Sequence, residues 1–130
     1  MSIVKVCCAI IQKNHYILAV QRADTMSNPL KWEFPGGKLQ AHETEQDCIV
    51  REVQEELGLS IQPNERLESS VHHYSKSLSI ELVPFLCEIL SGSLKLAEHK
   101  EHLWLKPHEL SNLDWSEADL PIVKSLSTIE

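Results

Sequence analysis

The stretch that decides the fold is residues 37–59, which read GKLQAHETEQDCIVREVQEELGL. Thr44 is followed three residues later by Asp47, a spacing typical of a helix capping box, and Gly58 is a residue type that commonly ends a helix. Between these signals the apolar side chains recur on one helical face: Ile49, Val53 and Leu57. The pattern predicts an amphipathic helix over residues 44–57 whose apolar face packs on a core.

The same helix carries three glutamates beside its apolar face. Glu52, Glu55 and Glu56 occupy positions i, i+3 and i+4, so at about 100° per residue they fall within one arc. Like charges in such an arc repel one another, whereas a hard cation such as Mg²⁺ prefers several oxygen ligands. Arg51 supplies a cation able to hold one carboxylate through a bidentate contact. Considered alone, however, the three glutamates fit a solvated acidic face better than a metal site.

The rest of the chain alternates strand-like and turn-like segments around this helix. Runs rich in apolar and β-branched residues predict strands over residues 3–11, 16–20, 32–34, 71–74, 78–90 and 102–105. Pro35, Gly36 and Gly37 are expected to end the third of these strands. A last helix is expected over residues 117–126, with an apolar stripe of Leu120, Val123 and Leu126. This order predicts an α/β or α+β class with a single domain over residues 1–130.

The charge of the chain is concentrated in one place. Its 130 residues include 19 acidic and 12 basic ones, for a formal charge of −7, and residues 43–56 alone hold six of the acidic residues against one basic residue. Acidity argues against stable nucleic-acid binding, but a metal ion would let such a region accept a phosphorylated small molecule. No segment reaches the roughly 18 apolar residues of a membrane span, and no convincing signal cleavage region follows the N-terminus. We therefore expect a cytoplasmic protein that binds no membrane.

The thiols and imidazoles give no sign of a zinc site or a disulfide. No C-x-x-C pair occurs among the four cysteines, so all are expected to be buried free thiols: Cys7, Cys8, Cys48 and Cys87. His99 and His102 have a spacing sometimes used for zinc, but no third ligand is evident.

The full spacing around the helix is far more specific than its glutamates. Gly37, Glu43 and the run REVQEELGL over residues 51–59 agree with every fixed position of the Nudix box. The chain thus resembles the Nudix hydrolases, and WEFPGGK over residues 32–38 is most similar to the branch of MutT and CTP pyrophosphohydrolases. The resemblance implies an α/β/α sandwich built on a mixed β-sheet, in which the loop–helix–loop of the box binds metal and diphosphate.

The resemblance also implies roles for individual residues. Mg²⁺ or Mn²⁺ would be held by four of them: Gly37 through its carbonyl, Glu52, Glu55 and Glu56. Glu52, positioned by Arg51, is favoured to orient or deprotonate the attacking water, and Glu43 to brace the loop. A glutamate of a later loop is expected to reach the metal from the opposite side. Glu98 is the first candidate and Glu101 the alternative, while a plain solvated loop stays open.

Base recognition is expected outside the box. Asp119 resembles the base-reading position before the last helix, where a carboxylate would accept a hydrogen bond from the exocyclic amine of cytosine. Relatives that read guanine usually carry Asn there, and an ordinary acidic residue at a helix N-terminus is the alternative. Phe34 fits either a core or a substrate-binding pocket wall, and Tyr74 and Phe85 are further stacking candidates.

The activity implied by the resemblance is that of a Mg²⁺-dependent nucleoside triphosphate pyrophosphohydrolase, which releases a nucleoside monophosphate and pyrophosphate. The expected substrates are CTP, dCTP and modified or oxidised nucleotides such as 8-oxo-dGTP. Arg22 and Lys38 are substrate-binding candidates, with a surface ion pair as the alternative for Arg22. Hydrolysis of ADP-ribose or a dinucleoside polyphosphate stays open, as does nucleotide sensing without catalysis, although the intact catalytic set argues against a sensor. The expected partner is a small-molecule nucleotide, bound by a monomer or a homodimer.

Overall fold

The computed structural model describes residues 2–127 as one mixed sheet with a helix on each face. The strands are β1 (Ser2–Lys13), β2 (Tyr16–Gln21), β3 (Trp32–Glu33), β4 (Gly36–Lys38), β5 (Leu59–Arg66), β6 (Ser70–His73), β7 (Leu78–Gly92) and β8 (Glu101–Leu105), and the helices are α1 (Glu45–Leu57) and α2 (Leu120–Ser127). Short 3₁₀ turns cover Pro107–Asn112 and Glu117–Asp119. The chain order of the elements is therefore mostly β, with α1 inserted after β4.

The sheet is mixed because its two longest strands run parallel to each other. β1 pairs in parallel with β7, while the other strand pairs are antiparallel. The continuous path is β3-β2-β1-β7-β5, and β4, β6 and β8 pair with β1, β7 and β2 respectively. β4 thus joins the centre of the sheet directly to the loop that leads into α1.

Helix α1 covers one face of the sheet and is built as the sequence predicts. The Thr44 hydroxyl accepts the Asp47 N–H at 3.0 Å, and Gly58 ends the helix with a left-handed φ of 68°. The buried side chains of α1 pack on inward-facing residues of β1 and β7: Cys48, Ile49, Val53 and Leu57 on the helix, and Cys7, Ala9, Val83 and Phe85 on the strands. This core fixes which side of α1 its glutamates occupy.

The opposite face carries a second core under α2 and the 3₁₀ turns. Alternation along β1 sends Cys7 to the first core and Cys8 to the second. Strand residues meet the C-terminal elements there: Ile10, Ile17, Phe34, Leu110, Trp115, Ile122, Val123 and Leu126. The expected α/β/α sandwich is confirmed, and all four cysteines are buried and free as predicted. Within residues 2–127, no helix is long and apolar enough to cross a bilayer.

The C-terminal helix corrects part of the prediction. Residues 117–119 form a 3₁₀ turn, so α2 begins only at Leu120. The change from three to 3.6 residues per turn shifts the buried face, because the two helix types place successive side chains at different angles. Leu120 is 39% exposed, and Ile122 takes its place beside Val123 and Leu126 in the core.

The strands around the box also differ from the prediction. Gly36 and Gly37, expected to end a strand, form β4 with Lys38 and pair with β1 at Cys7 and Cys8. A Cβ at Gly36 would collide with the backbone of β1, so glycine permits this close pairing. β5 was not predicted; its pairing with β7 shifts register twice, which breaks the alternation that marks a strand.

Candidate active site

The loop backbone and the first glutamate of the box meet at Gly37. A Cβ at Gly37 would overlap the carboxylate of Glu52, so only a glycine leaves room for that carboxylate beside the backbone of β4. The predicted metal-binding carbonyl and the predicted water-activating carboxylate therefore belong to neighbouring residues in space, although fifteen positions separate them in the sequence.

Arg51 connects the other carboxylates. Its guanidinium makes a bidentate contact with Glu43, with Nε to Oε2 at 2.6 Å and Nη2 to Oε1 at 3.0 Å. Its Nη1 also donates to Glu52 Oε2 at 2.8 Å and to Glu55 Oε1 at 3.0 Å. The bidentate partner of Arg51 is thus Glu43, the residue predicted to brace the loop, and Arg51 makes one hydrogen bond to Glu52. The bond to Arg51 lowers the pKa of Glu43 to about 2, so this carboxylate is ionised at neutral pH.

Glu56, at the end of helix α1, is half-buried. The Gly36 N–H donates to its Oε1 at 3.2 Å. Burial, followed by the charges of Glu52 and Glu33, raises the pKa of Glu56 to about 8. A carboxylate in this position is costly to ionise without a cation nearby, which is the situation that a bound divalent ion relieves.

The donor set fits a hard divalent cation in its chemistry: three carboxylates and a backbone carbonyl, all oxygen ligands. Within residues 2–127, no three histidine, cysteine, aspartate or glutamate side chains already converge as a metal-binding group. Arg51 holds one oxygen of Glu52 and one oxygen of Glu55. Binding a cation here would use the remaining oxygens or a rotation of these side chains.

The two later glutamates take different positions. The turn bearing Glu98 is tied to the end of α1 by a hydrogen bond from the Ala97 N–H to the Glu56 carbonyl at 3.0 Å. The charge of Glu98 contributes to the raised pKa of Glu56. Glu101 begins β8 and pairs with Gln21 across the sheet. Glu98 is therefore the better placed of the two to face the box.

Arg22 forms the ion pair that was left open as its alternative. Its Nη1 lies 2.9 Å from Glu33 Oε1, and its Nε donates to the Ser27 carbonyl at 2.6 Å. The second oxygen of Glu33 contacts His99 Nε2 at 2.8 Å. The sequence predicted no contact between Glu33 and His99. Glu33 was visible only as the charged residue of the WEFPGGK stretch, and His99 only through its zinc-like spacing with His102.

Asp119 is buried beside the backbone of Phe34. Its side chain accepts the Phe34 N–H at 2.9 Å, it is 5% exposed, and burial raises its pKa to about 8. The Phe34 ring packs on Trp115 with centroids 4.7 Å apart. Tyr74 is 43% exposed, and its pKa is raised by burial and then by the charge of Asp119. Phe85 lies instead in the core under α1, so it is wrong as a stacking candidate.

The structure therefore brings the predicted residues together in two groups. The first group surrounds the box: Gly37, Lys38, Arg51, Glu52, Glu55, Glu56 and Glu98. Lys38 belongs to it through its carbonyl, which accepts from Arg51 at 3.2 Å, while its side chain is exposed. The second group is Phe34 and Asp119. The charge of Glu33 acts on both groups, since it raises the pKa of Glu56 and that of Asp119.

A separate cavity lies away from these residues. A space of about 910 Å³ opens between the β1–β2 turn and α2, with Ile17, Leu86, Lys106 and Ile122 among its walls, and it includes none of the predicted site residues. Glu55 and Glu98 of the first group are exposed, whereas Phe34 and Asp119 of the second group are buried.

The architecture and the box define the class of protein, and comparison with known proteins agrees. The family model of the NUDIX domain matches residues 1–126, so the chain belongs to the Nudix family and is a Nudix hydrolase. It is 30% identical to the CTP pyrophosphohydrolase of Escherichia coli K12 over 129 residues, which cover 99% of this chain and 95% of that protein. It is 29% identical to the 8-oxo-dGTP diphosphatase of the same organism, over 90% of each chain. The solution structure of the E. coli ORF135 protein matches with a TM-score of 0.85 and 28% identity, over 99% of this chain and 91% of that one.

Proposed function

We propose that this Nudix hydrolase is a Mg²⁺-dependent nucleoside triphosphate pyrophosphohydrolase that acts on CTP, dCTP or modified and oxidised nucleotides such as 8-oxo-dGTP. The observation that carries the proposal is the arrangement of Glu52 against Gly37 and of Glu56 against Gly36, with Arg51 tying Glu52 to the rest of the box. The names of the two E. coli relatives support the substrate class, since one refers to CTP and the other to 8-oxo-dGTP.

In this proposal the residues of the box and Glu98 bind the cation, and Glu52 also activates the water. Glu52, Glu55, Glu56, Glu98 and the carbonyl of Gly37 would hold Mg²⁺ or Mn²⁺. A bound cation of this kind neutralises phosphate oxygens and makes a coordinated water more acidic. Glu52 accepts the proton of the attacking water, and the Arg51 hydrogen bond limits the orientations that its carboxylate can take. Water attacks a phosphorus of the triphosphate, and the phosphoanhydride bond that breaks leaves a nucleoside monophosphate and pyrophosphate.

Substrate selection is assigned to residues beyond the glutamates. Lys38 and Arg22 supply positive charge for the phosphates, with Arg22 oriented by Glu33. Asp119 faces the base and accepts a hydrogen bond from an exocyclic amine, as cytosine offers. Burial keeps this carboxylate largely protonated near neutral pH, so it also offers a donor to a base carbonyl or ring nitrogen.

Pyrophosphate release from a nucleotide panel tests the proposal directly. The panel contains CTP, dCTP, 5-methyl-dCTP, 8-oxo-dGTP, ADP-ribose and diadenosine polyphosphates, each measured with Mg²⁺ and with EDTA. We expect Mg²⁺-dependent release from a cytosine or oxidised nucleotide, and a fall of at least about 100-fold in Glu52→Gln, the size typical of a lost general base. Glu65→Gln, an exposed carboxylate on β5, is the matched control and should retain full turnover. Turnover confined to ADP-ribose or the dinucleotides would contradict the substrate class, and nucleotide binding without turnover would indicate a sensor.

A further inference from the structure

His99 is a buried imidazole directly after the exposed Glu98. Its side chain is 4% exposed, and its Nε2 lies 2.8 Å from Glu33 Oε2. An ionised carboxylate only accepts hydrogen bonds, so the hydrogen of this contact is assigned to Nε2. Within the part of the chain that the structure describes, the buried Nδ1 of His99 has no hydrogen-bond partner. A single hydrogen bond therefore gives this imidazole its orientation.

Glu33 is itself fixed by a second partner. Its other oxygen accepts from Arg22 Nη1 at 2.9 Å, so the carboxylate is held from both ends. Glu33 lies on β3, which pairs with β2, and its charge reaches both Glu56 and Asp119. The imidazole of His99 is therefore hydrogen-bonded to a carboxylate that strand β3 and Arg22 hold in place.

The backbone around Glu98 is attached on each side of that residue. The Ala97 N–H donates to the Glu56 carbonyl at 3.0 Å, and the Lys100 N–H donates to the Gln21 carbonyl at 2.9 Å. These bonds hold the two ends of the turn but leave the direction of Glu98 to the residues between them. The bond from His99 to Glu33 is a side-chain contact made within this turn, immediately next to Glu98.

We propose that His99 is a positioning residue, which holds the Glu98 turn against Glu33 and so directs Glu98 toward Glu56. His99 does not touch the substrate; it acts through the carboxylates on either side of it. The inference rests on the proposed function, because only that function gives Glu98 and Glu56 a shared cation to bind. Removing a residue that hydrogen-bonds to and orients a metal ligand commonly lowers metal affinity or activity by about 10–100-fold, and we expect an effect of this size for His99.

Two amide substitutions separate positioning from simple packing. In His99→Gln the amide nitrogen can occupy the place of Nε2 and keep the bond to Glu33. In His99→Asn the shorter side chain places its nitrogen where Nδ1 lies, out of reach of Glu33. We expect His99→Gln to remain close to the wild type. We expect His99→Asn to lose roughly 10–100-fold in Mn²⁺ affinity and in kcat, with little change in KM. His102→Gln, on the neighbouring strand β8, is the control for a change of imidazole to amide.

Mn²⁺ affinity is measured by electron paramagnetic resonance without nucleotide, alongside kcat, KM and the urea midpoint of each variant. If His99→Asn fails to fold, Glu33→Gln weakens the same bond from its other end and should lower Mn²⁺ affinity in its place. The proposal is overturned if His99→Gln and His99→Asn bind Mn²⁺ equally, whether both match the wild type or both are weakened together. A wild-type protein that hydrolyses no nucleotide would refute the proposed function instead, and the Mn²⁺ affinities would still decide the role of His99.

Discussion

At the residue scale, Asp119 couples folding to pH. Its pKa in the folded protein is about 8 because it is buried, against an ordinary value of 3.8. Between these two values the folded chain keeps a proton that the unfolded chain releases. Stability contributed by this group is therefore fully present below about pH 4, falls as pH rises, and is lost above about pH 8.

Asp119→Asn removes this dependence while keeping an oxygen that can accept the Phe34 N–H. We expect the variant to gain stability relative to the wild type as pH rises from 5 to 8, by roughly a few kcal/mol. Urea unfolding at several pH values measures the difference, and Asp24→Asn, an exposed residue of the loop before β3, serves as the control. A difference between wild type and Asp119→Asn that stays constant across this range would show that Asp119 titrates as an exposed acid does.

At the element scale, the three residues of β4 carry two separate requirements for glycine. A Cβ at Gly36 would strike the backbone of Cys7 and Cys8, whereas the three atoms nearest to one at Gly37 all belong to the Glu52 carboxyl group. A backbone cannot move aside without disturbing the sheet, but a glutamate side chain can rotate. The same substitution at adjacent positions should therefore damage different properties.

We expect Gly36→Ala to destabilise the protein by roughly 3 kcal/mol, as an overpacked core site does. Gly37→Ala should change the free energy of unfolding by less than about 1 kcal/mol but lower Mn²⁺ affinity and turnover by about 10–100-fold, because Glu52 is displaced. Denaturant unfolding and Mn²⁺ titration of both variants check the pair, each serving as the control for the other. Full activity in Gly37→Ala would mean that Glu52 does not need its place beside the β4 backbone.

The elements also show what the sequence could and could not predict. α1 was predictable because its cap, its apolar spacing and its terminal glycine all lie within a few residues of one another. β4 was not, since paired glycines favour a turn and only the neighbouring β1 makes them a strand. The positions of the box glutamates followed from helical spacing. The contact of Glu33 with His99 joins residues 66 positions apart, and no local pattern encodes such a pairing.

At the scale of the whole molecule, the formal charge of −7 is concentrated in the segment that carries the box glutamates. Most of the acidic excess lies on α1 and the loop before it. Arg51 forms hydrogen bonds to three of these carboxylates, those of Glu43, Glu52 and Glu55. Carboxylates this close together repel one another, and a bound cation would offset the repulsion that Arg51 leaves. Mg²⁺ should therefore stabilise the folded chain, by about 1.4 kcal/mol when present at ten times its dissociation constant.

Glu56→Gln tests this coupling because it should act in opposite directions with and without metal. In EDTA the variant should equal or exceed the wild type in thermal stability, since it replaces a carboxylate whose ionised form is disfavoured by burial and by the charges of Glu52 and Glu33. In Mg²⁺ the wild type should gain stability and the variant should gain little, so the wild type becomes the more stable of the two. Thermal unfolding in both conditions measures the effect, with NaCl at matched ionic strength to separate metal binding from screening. A general loss of structure would lower the stability of the variant in EDTA as well as in Mg²⁺. Equal stabilisation of both proteins by Mg²⁺ would show that Glu56 is not part of the cation site.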